Sequence, residues 1–598
     1  MALTAGVARF RDTCNVYVLR SGRDAVLVDF GSGAVLDHLE ELGVDRVTDV
    51  LVTHHHRDQV QGLRRAVEAG ARVWVPPFEE ELVAGVDEHW RTRQVENDYD
   101  LRQDRFSLLR SVPVAGTVSE YRSRPYGGVD VYTLPTPGHT LGSVTYLVEV
   151  EGRTLAFSGD LVYGHGKVWS LAATQWSYSG VEGQAATFIS CGVLAGRGPD
   201  VMLPSHGEPV DDPAAALALT RTRLLELANM RLDHVWDFEE WQRNAWVPVT
   251  PHLFRDRSAF ATSYALVSES GAALLIDWGY HVSTGLVPMT DRTARRPLLA
   301  SIDVLRRLGV DRIEAVVTTH FHDDHVAGLN LLREIEGTEV WSPENVAPVL
   351  EAPQRFDLPC LWFDPIPVDR TLALGQPVAW REYELTPYPL PGHTLYAAAI
   401  AFEVDGRRVL ATGDQQALGG ERPLLNYQYR NRFRIDDYVR SAELYLELRP
   451  DLIVSGHWLP REVTDDDLEQ LLAEGRRLAE LHRELLPLED VDFGAEGFGA
   501  RIDPYRASVQ AGGELRIDVA VRNPFARDAE AVVRLALPDG WVAAPDAETV
   551  ALGPGGELSV RFAVRVSGDP VRRARVAADL TVDGVRFGQQ AEALVDVG

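Results

Sequence analysis

The sequence predicts two tandem copies of one α/β unit followed by an all-β module. Three observations carry this expectation. The same series of landmarks occurs twice, each copy alternates strand-like with helix-like segments, and the C-terminal stretch changes to an apolar period of two. The chain has 598 residues, more than one hydrophobic core supports, so several domains are required. Its 45% hydrophobic and 25% charged content is that of an ordinary globular protein.

The first copy opens with NVYVLRSGRDAVLVDFGSG (15–33) and the second with TSYALVSESGAALLIDWGYH (262–281). Each reads as strand, turn and strand, closing on an aspartate, Asp29 or Asp277. Apolar strands VTDVLVTH (47–54) and IEAVVTTH (313–320) then run straight into histidines, and helix-like QGLRRAVEAG and AGLNLLREIEG follow. TLPTPGHTLGS (133–143) pairs with PYPLPGHTLYA (387–397), and FSGD (157–160) with ATGD (411–414). PDVMLPSH (199–206) pairs with PDLIVSGH (450–457). His139 precedes Asp160 by 21 positions, and His393 precedes Asp414 by the same 21. Larger differences fall in loops, such as residues 281–297, where added length is inexpensive.

These landmarks set domains at 1–240, 241–487 and 488–598, with helices expected over 214–232 and 467–486. In the last domain ELRIDVAVRN places Leu515, Ile517, Val519 and Val521 on one strand face. ELSVRFAVRV does the same with Leu558, Val560, Phe562, Val564 and Val566. Turn signals separate such runs, so an antiparallel β-sandwich is expected.

Formal charge is −29, which repels phosphate backbones and argues against a nucleic-acid partner. Cys14, Cys191 and Cys360 are far apart and form no C-x-x-C pair, as expected of a reducing, cytoplasmic setting. No apolar run is long enough for a membrane span and no signal-peptide core is evident, so no membrane partner is expected.

The second copy brings together His320, His322, Asp324, His325, His393, Asp414 and His457. Five imidazoles and two carboxylates suffice for two divalent cations, with zinc expected and iron or manganese as alternatives. An H-x-H-x-D-H loop between strand and helix can turn neighbouring side chains onto closely spaced ions. The first copy carries His54, His56, Asp58, His139, Asp160 and His206, but Gln59 stands where His325 does. An amide oxygen is a weaker zinc ligand than imidazole, so one or two ions are expected there.

The complete set (His320 to His325, Gly392–His393, Gly413–Asp414 and His457) closely resembles that of the metallo-β-lactamase superfamily. The resemblance implies an αββα four-layer sandwich in each copy, with metals at one sheet edge. It also implies that His320, His322 and His393 hold a first cation, that Asp324, His325 and His457 hold a second, and that Asp414 bridges them. The expected function is a metallohydrolase that directs a metal-bound hydroxide at an ester, thioester, lactone or amide, mainly in the second copy. There Asp324 orients the water or accepts its proton. Alternatives are iron-dependent thiol dioxygenation, favoured if anywhere in the first copy, and a metal-stabilised sensor or scaffold. The histidines at His56 and His322 argue against diiron reductases, and the charge argues against nucleases.

Other residues carry weaker expectations. Asp29 and Asp277 brace loops, His55 fills the variable motif slot, and His165 is read as a loop histidine, with a stand-in for the missing imidazole as the alternative. Tyr178, Tyr427, Tyr429 and His281 are candidates to face substrate. The tail resembles the Ig-like module appended to glycosidases, on the short match LALPDGWVAAP (535–545). A small-molecule substrate is expected, with a pseudo-dimer of the lobes and protein or carbohydrate binding by the tail as further options.

Overall fold

A computed structural model describes residues 3–4, 6–93, 104, 106–175, 182–230, 240, 243–281, 297–419 and 422–598. In the first lobe, β1 (Val7–Arg11), β2 (Asn15–Ser21), β3 (Asp24–Val28), β4 (Arg46–Leu51), β5 (Arg72–Val75) and β6 (Gly116–Thr117) form one sheet in that order. The first three strands are antiparallel and β3 to β6 are parallel. A second sheet comprises β7 (Ser123–Tyr126), β8 (Val129–Pro135), β9 (Val144–Val150), β10 (Arg153–Gly159) and β11 (Val201–Pro204), also in chain order.

Side-chain alternation turns these sheets into layers. From β2, Tyr17 and Leu19 enter a core with Val131, Tyr146 and Phe157 of the second sheet. Val16 and Val18 point the other way, into a core with Leu63 and Ala66 of the helix Leu63–Glu68. On the far side, Leu147, Ala156 and Met202 pack with Ala216 and Leu217 of the helix Pro213–Asn229. Helix, sheet, sheet and helix therefore stack in four layers. Because both faces of the strands are covered, they read as continuous apolar runs and not as alternation.

The second lobe repeats the plan. Its first sheet is β12 (Trp246–Thr250), β13 (Leu253–Asp256), β14 (Tyr264–Val267), β15 (Ala272–Ile276), β16 (Arg312–Val317), β17 (Glu339–Pro343) and β18 (Arg370–Leu372). The second contains β19 (Val378–Trp380), β20 (Tyr383–Pro389), β21 (Ala398–Val404) and β22 (Arg407–Ala411). A short hairpin, β23 (Gln416–Gly419) and β24 (Arg422–Leu425), intervenes before β25 (Leu452–Val454) and β26 (Arg461–Glu462) complete that sheet. Leu266, Leu274, Ile276 and Val317 meet Leu385, Ile400, Phe402 and Val454 between the sheets. The helices Asp437–Leu448 and Asp465–Leu485 cover the outer face through Ala442, Tyr445, Leu468 and Leu471. The latter helix starts at a capping box in which Thr464 and Asp467 satisfy each other's backbone N–H groups.

The tail is all β, in two sheets. β27 (Ala500–Asp503), β29 (Glu514–Arg522), β33 (Glu557–Arg565) and β31 (Val542–Ala544) form one. β28 (Arg506–Val509), β35 (Val585–Val597), β34 (Val571–Val582), β30 (Ala529–Ala536) and β32 (Glu548–Leu552) form the other. Ile517, Val519, Val521, Val560, Phe562 and Val564 share its core, as the period of two predicts. Leu558, near the start of its strand, is exposed instead. The chain divides into two compact units. One is Met1–Trp246 with Arg257–Phe260 and Tyr280–Leu308; the other is Val247–Asp256 with Ala261–Gly279 and Gly309–Gly598, which includes the tail.

One glycine fixes the loop entry to the second lobe's histidines. A Cβ on Gly279 would fall inside the van der Waals shell of the Asp324 carbonyl oxygen. Backbone, not a flexible side chain, is what it meets. Gly279→Ala is therefore expected to destabilise the second lobe by about 3 kcal/mol, the upper range for overpacking, as read by denaturant unfolding.

Candidate metal centres

In the second lobe β16 ends just before His320, and His322 adopts an extended conformation as the N-cap of the short helix Asp323–Val326. Asp324 and His325 lie in that helix. His393 and Asp414 follow β20 and β22, and His457 follows β25. Strand ends thus deliver every group to one edge.

Two clusters result, His320 with His322, His393 and Asp414, and Asp324 with His325, Asp414 and His457. Asp414 belongs to both. His393 Nε2 lies 3.2 Å from His322 Nδ1, and Asp414 Oδ2 is 4.0 and 3.9 Å from His320 Nε2 and His393 Nε2. On the other side His457 Nε2 is 3.1 Å from both Asp324 Oδ2 and Asp414 Oδ2, so one nitrogen faces two carboxylates. His320 Nε2, His325 Nε2 and Asp414 Oδ1 are buried without a hydrogen-bond partner, although His325 Nε2 and Asp414 Oδ1 are only 3.2 Å apart. Buried polar atoms that converge without bonding one another are what a divalent cation satisfies.

The outward nitrogens are held by protein. His325 Nδ1 contacts Asp277 Oδ2 at 2.7 Å, His320 Nδ1 contacts Thr319 Oγ1 at 3.1 Å, and His393 Nδ1 donates to the Asn426 carbonyl at 2.8 Å. Asp277 also accepts from the Thr319 backbone N–H and hydroxyl, each at 2.7 Å, and so braces the loop as expected. Such outer partners fix ring orientation. Burial lowers the basicity of His320, of His393 and of His322, the last to about 3, which leaves neutral bases for a cation. Burial also works against charge on His457, but the Asp324 and Asp414 carboxylates push it up to about 9.

The first lobe assembles the same trio. His56 has the same extended N-cap conformation, and His54, His56 and His139 converge. His56 Nδ1 lies 3.2 Å from His54 Nε2 and 2.9 Å from His139 Nε2. Asp160 Oδ2 stands 3.7 and 3.6 Å from His54 Nε2 and His139 Nε2. The other corner differs. Gln59 donates from Nε2 to Asp160 Oδ2 at 3.1 Å, while its Oε1 is buried without a hydrogen-bond partner. His206 turns different nitrogens to its two carboxylates, Nδ1 to Asp160 Oδ1 at 2.9 Å and Nε2 to Asp58 Oδ2 at 3.3 Å. Asp58, Asp160 and His206 do not present one atom each to a common point in the way their counterparts do.

Both lobes match one protein family in sequence. The family model described as "Metallo-beta-lactamase superfamily" matches residues 9–216 and 256–457. The chain belongs to this superfamily. An atrochrysone carboxyl ACP thioesterase from Aspergillus chevalieri is 25% identical over 216 residues, 35% of this chain and 56% of that protein. A hydroxyacylglutathione hydrolase from Methylobacterium nodulans is 35% identical over 140 residues, 23% of this chain and 43% of its own length. The chain thus spans about half the length of these curated relatives. A metallo-beta-lactamase family protein from Thermus thermophilus is 22% identical over 40% of this chain and 88% of its own, with a TM-score of 0.30. The chain therefore has the superfamily's sequence pattern twice, each copy with a cluster of groups that could hold a metal, and the relatives named above are a thioesterase and a hydrolase.

The other candidates are not members of these clusters. His165 is exposed and belongs to neither lobe's converging groups. His281 is buried beside Ala259 in the first compact unit. Tyr427 and Tyr429 are partly exposed, and Tyr429 Oη bonds His482 Nε2 at 3.0 Å. Tyr178 lies outside the described residues.

Two residues of this site escape sequence reasoning. Trp169 stacks on His206 with ring centroids 4.0 Å apart and planes 1° from parallel, and Tyr163 stacks beyond it. Glu79, fully buried, meets His55 Nδ1 and accepts from the His55 N–H at 3.1 Å, the Thr140 hydroxyl at 2.9 Å and the Gly142 N–H at 2.7 Å. It ties the loop bearing His54 and His56 to the loop bearing His139. His55 is thus a tether and not a member of the cluster. Nothing in the local spacing of Glu79 signals this, since its partners come from two distant segments. Glu79→Gln is expected to destabilise the first lobe by about 3 kcal/mol, the scale of breaking a buried pair, and to weaken its cation affinity about 10-fold. Denaturant unfolding and zinc titration check both.

Proposed function

We propose that the second lobe is the main hydrolytic centre, acting on an ester, thioester, lactone or amide, with thioesters favoured by the names of the relatives. The observation that carries this reading is the set of buried, unbonded ligand atoms converging on two adjacent points around Asp414. The donor set suits zinc, with iron or manganese as alternatives. His320, His322 and His393 would hold one cation and Asp324, His325 and His457 a second, with Asp414 between them. When bound, such cations supply Lewis acidity that makes water more acidic and polarises a substrate oxygen.

The chain itself does the positioning. Asp277, Thr319 and Asn426 keep the imidazoles aimed inward. Asp324, held 3.1 Å from His457, orients the attacking water and takes its proton. The wider reading assigns functional modules to 1–240, 241–487 and 488–598, an Ig-like tail for protein or carbohydrate, and a cytoplasmic setting. Among the described residues no helix is long and apolar enough to cross a membrane.

A second reading applies to the first lobe, where a three-imidazole cluster favours single-ion chemistry such as iron-dependent thiol oxidation. Near-stoichiometric iron with thiol-dependent oxygen uptake, lost in His56→Ala, would support it. For the main reading, His322→Ala is expected to lower hydrolysis of an ester and thioester panel at least about 100-fold, a loss of several kcal/mol of Lewis-acid stabilisation. His56→Ala is expected to lower it less than about 10-fold. Equal losses overturn the division of labour between the lobes.

A further inference from the structure

Gln59 and His325 occupy the same slot. Backbone N–H groups of Phe30 and Gly31 donate to the Gln59 carbonyl at 3.0 Å, as Trp278 N–H donates to the His325 carbonyl at 2.7 Å. Ser205 and Gly456 are a second equivalent pair. Each precedes the last histidine of its lobe, and their N–H groups donate to the matching carbonyls of Gly159 and Gly413 at 2.8 and 2.9 Å.

These two differences between the lobes meet in space. In the second lobe one imidazole joins two carboxylates, with His325 Nδ1 on Asp277 and Nε2 toward Asp414. Gly456 has to be glycine there, because a Cβ at that position would strike Asp414 Oδ1 and the His325 ring. In the first lobe the imidazole is gone, and the side chain of Ser205 fits. Its hydroxyl donates to Asp29 Oδ2, taking over the hydrogen bond that His325 gives Asp277. The amide of Gln59 serves the other end, donating to Asp160. One relay has become two separate hydrogen bonds, and both carboxylates are satisfied by protein alone. His206 then lies with a different nitrogen toward each of Asp160 and Asp58, its ring clamped under Trp169.

We infer that the second cation position of the first lobe is closed by a matched pair of substitutions, Gln59 with Ser205, so that this lobe holds one cation and neither change alone reopens the site. The inference rests on the two-cation reading of the second lobe. By the same geometry an isolated histidine at 59 is expected not to suffice, because its ring would need the space that the Ser205 side chain fills.

The test counts zinc per full-length chain after loading and desalting, by atomic emission, with the lobes separated by His54→Ala and by Asp414→Ala, which removes the carboxylate shared by both second-lobe clusters. Wild type is expected to hold about three ions, Gln59→His about three, and Gln59→His/Ser205→Gly about four. In the second lobe Gly456→Ser alone is expected to remove about one ion. Thermal unfolding gives an independent readout, in which His325→Gln/Gly456→Ser melts above His325→Gln because the added hydroxyl bonds Asp277. About four ions in wild type with loss of one in His206→Ala, a gain by Gln59→His alone, or no gain in the double variant each overturns the inference. Loss of fewer than about two ions in Asp414→Ala would instead sink the reading of the second lobe and leave the first-lobe count intact.

Discussion

In each lobe a carboxylate is buried among imidazoles, Asp160 in the first and Asp414 in the second, and the surrounding structure answers to it. An anion removed from water must be matched by hydrogen bonds or positive charge close by. Sheet edges provide the geometry, since strand ends that differ widely in sequence position converge there. The loops then provide the match in two different ways. The second lobe surrounds Asp414 with groups that leave ligand atoms unbonded. The first surrounds Asp160 with an amide donor and with His206. Burial, with a smaller push from the Asp160 carboxylate, raises Asp29 to about 7 against the hydrogen bonds from Ser205 and Thr53 that favour its anion. Even the outer carboxylate of the first lobe is thus under strain of desolvation.

Much of this is legible in the sequence for a physical reason. The H-x-H-x-D-H phrase is local, so its spacing encodes the turn from strand into helix, and a duplicated chain supplies its own comparison. The same holds for the tail, where Ile517, Val519 and Val521 follow the period of a strand with one face covered. Leu558 departs because the pleat fixes the face of a residue but not how far the opposing sheet extends over it.

Glu79, Trp169 and the pairing of Ser205 with Gln59 are not legible in this way. Each acts across segments that meet only once the fold is formed. Gln59 is conspicuous because it breaks a motif; Ser205 is inconspicuous because serine beside a histidine violates nothing local. Only the clash that a side chain at Gly456 would cause shows that the two positions constrain each other.

The tether at Glu79 has a consequence for life without metal. In the first lobe a buried carboxylate stitches the two ligand loops together, whereas Phe321 and Val346 stand at the corresponding places in the second, whose ligand loops are joined instead by backbone pairing and by Asn345. The His55–Glu79 pair holds the first lobe's ligand loops without help from a cation. The altered copy thus carries a fastening at its ligand edge that owes nothing to metal.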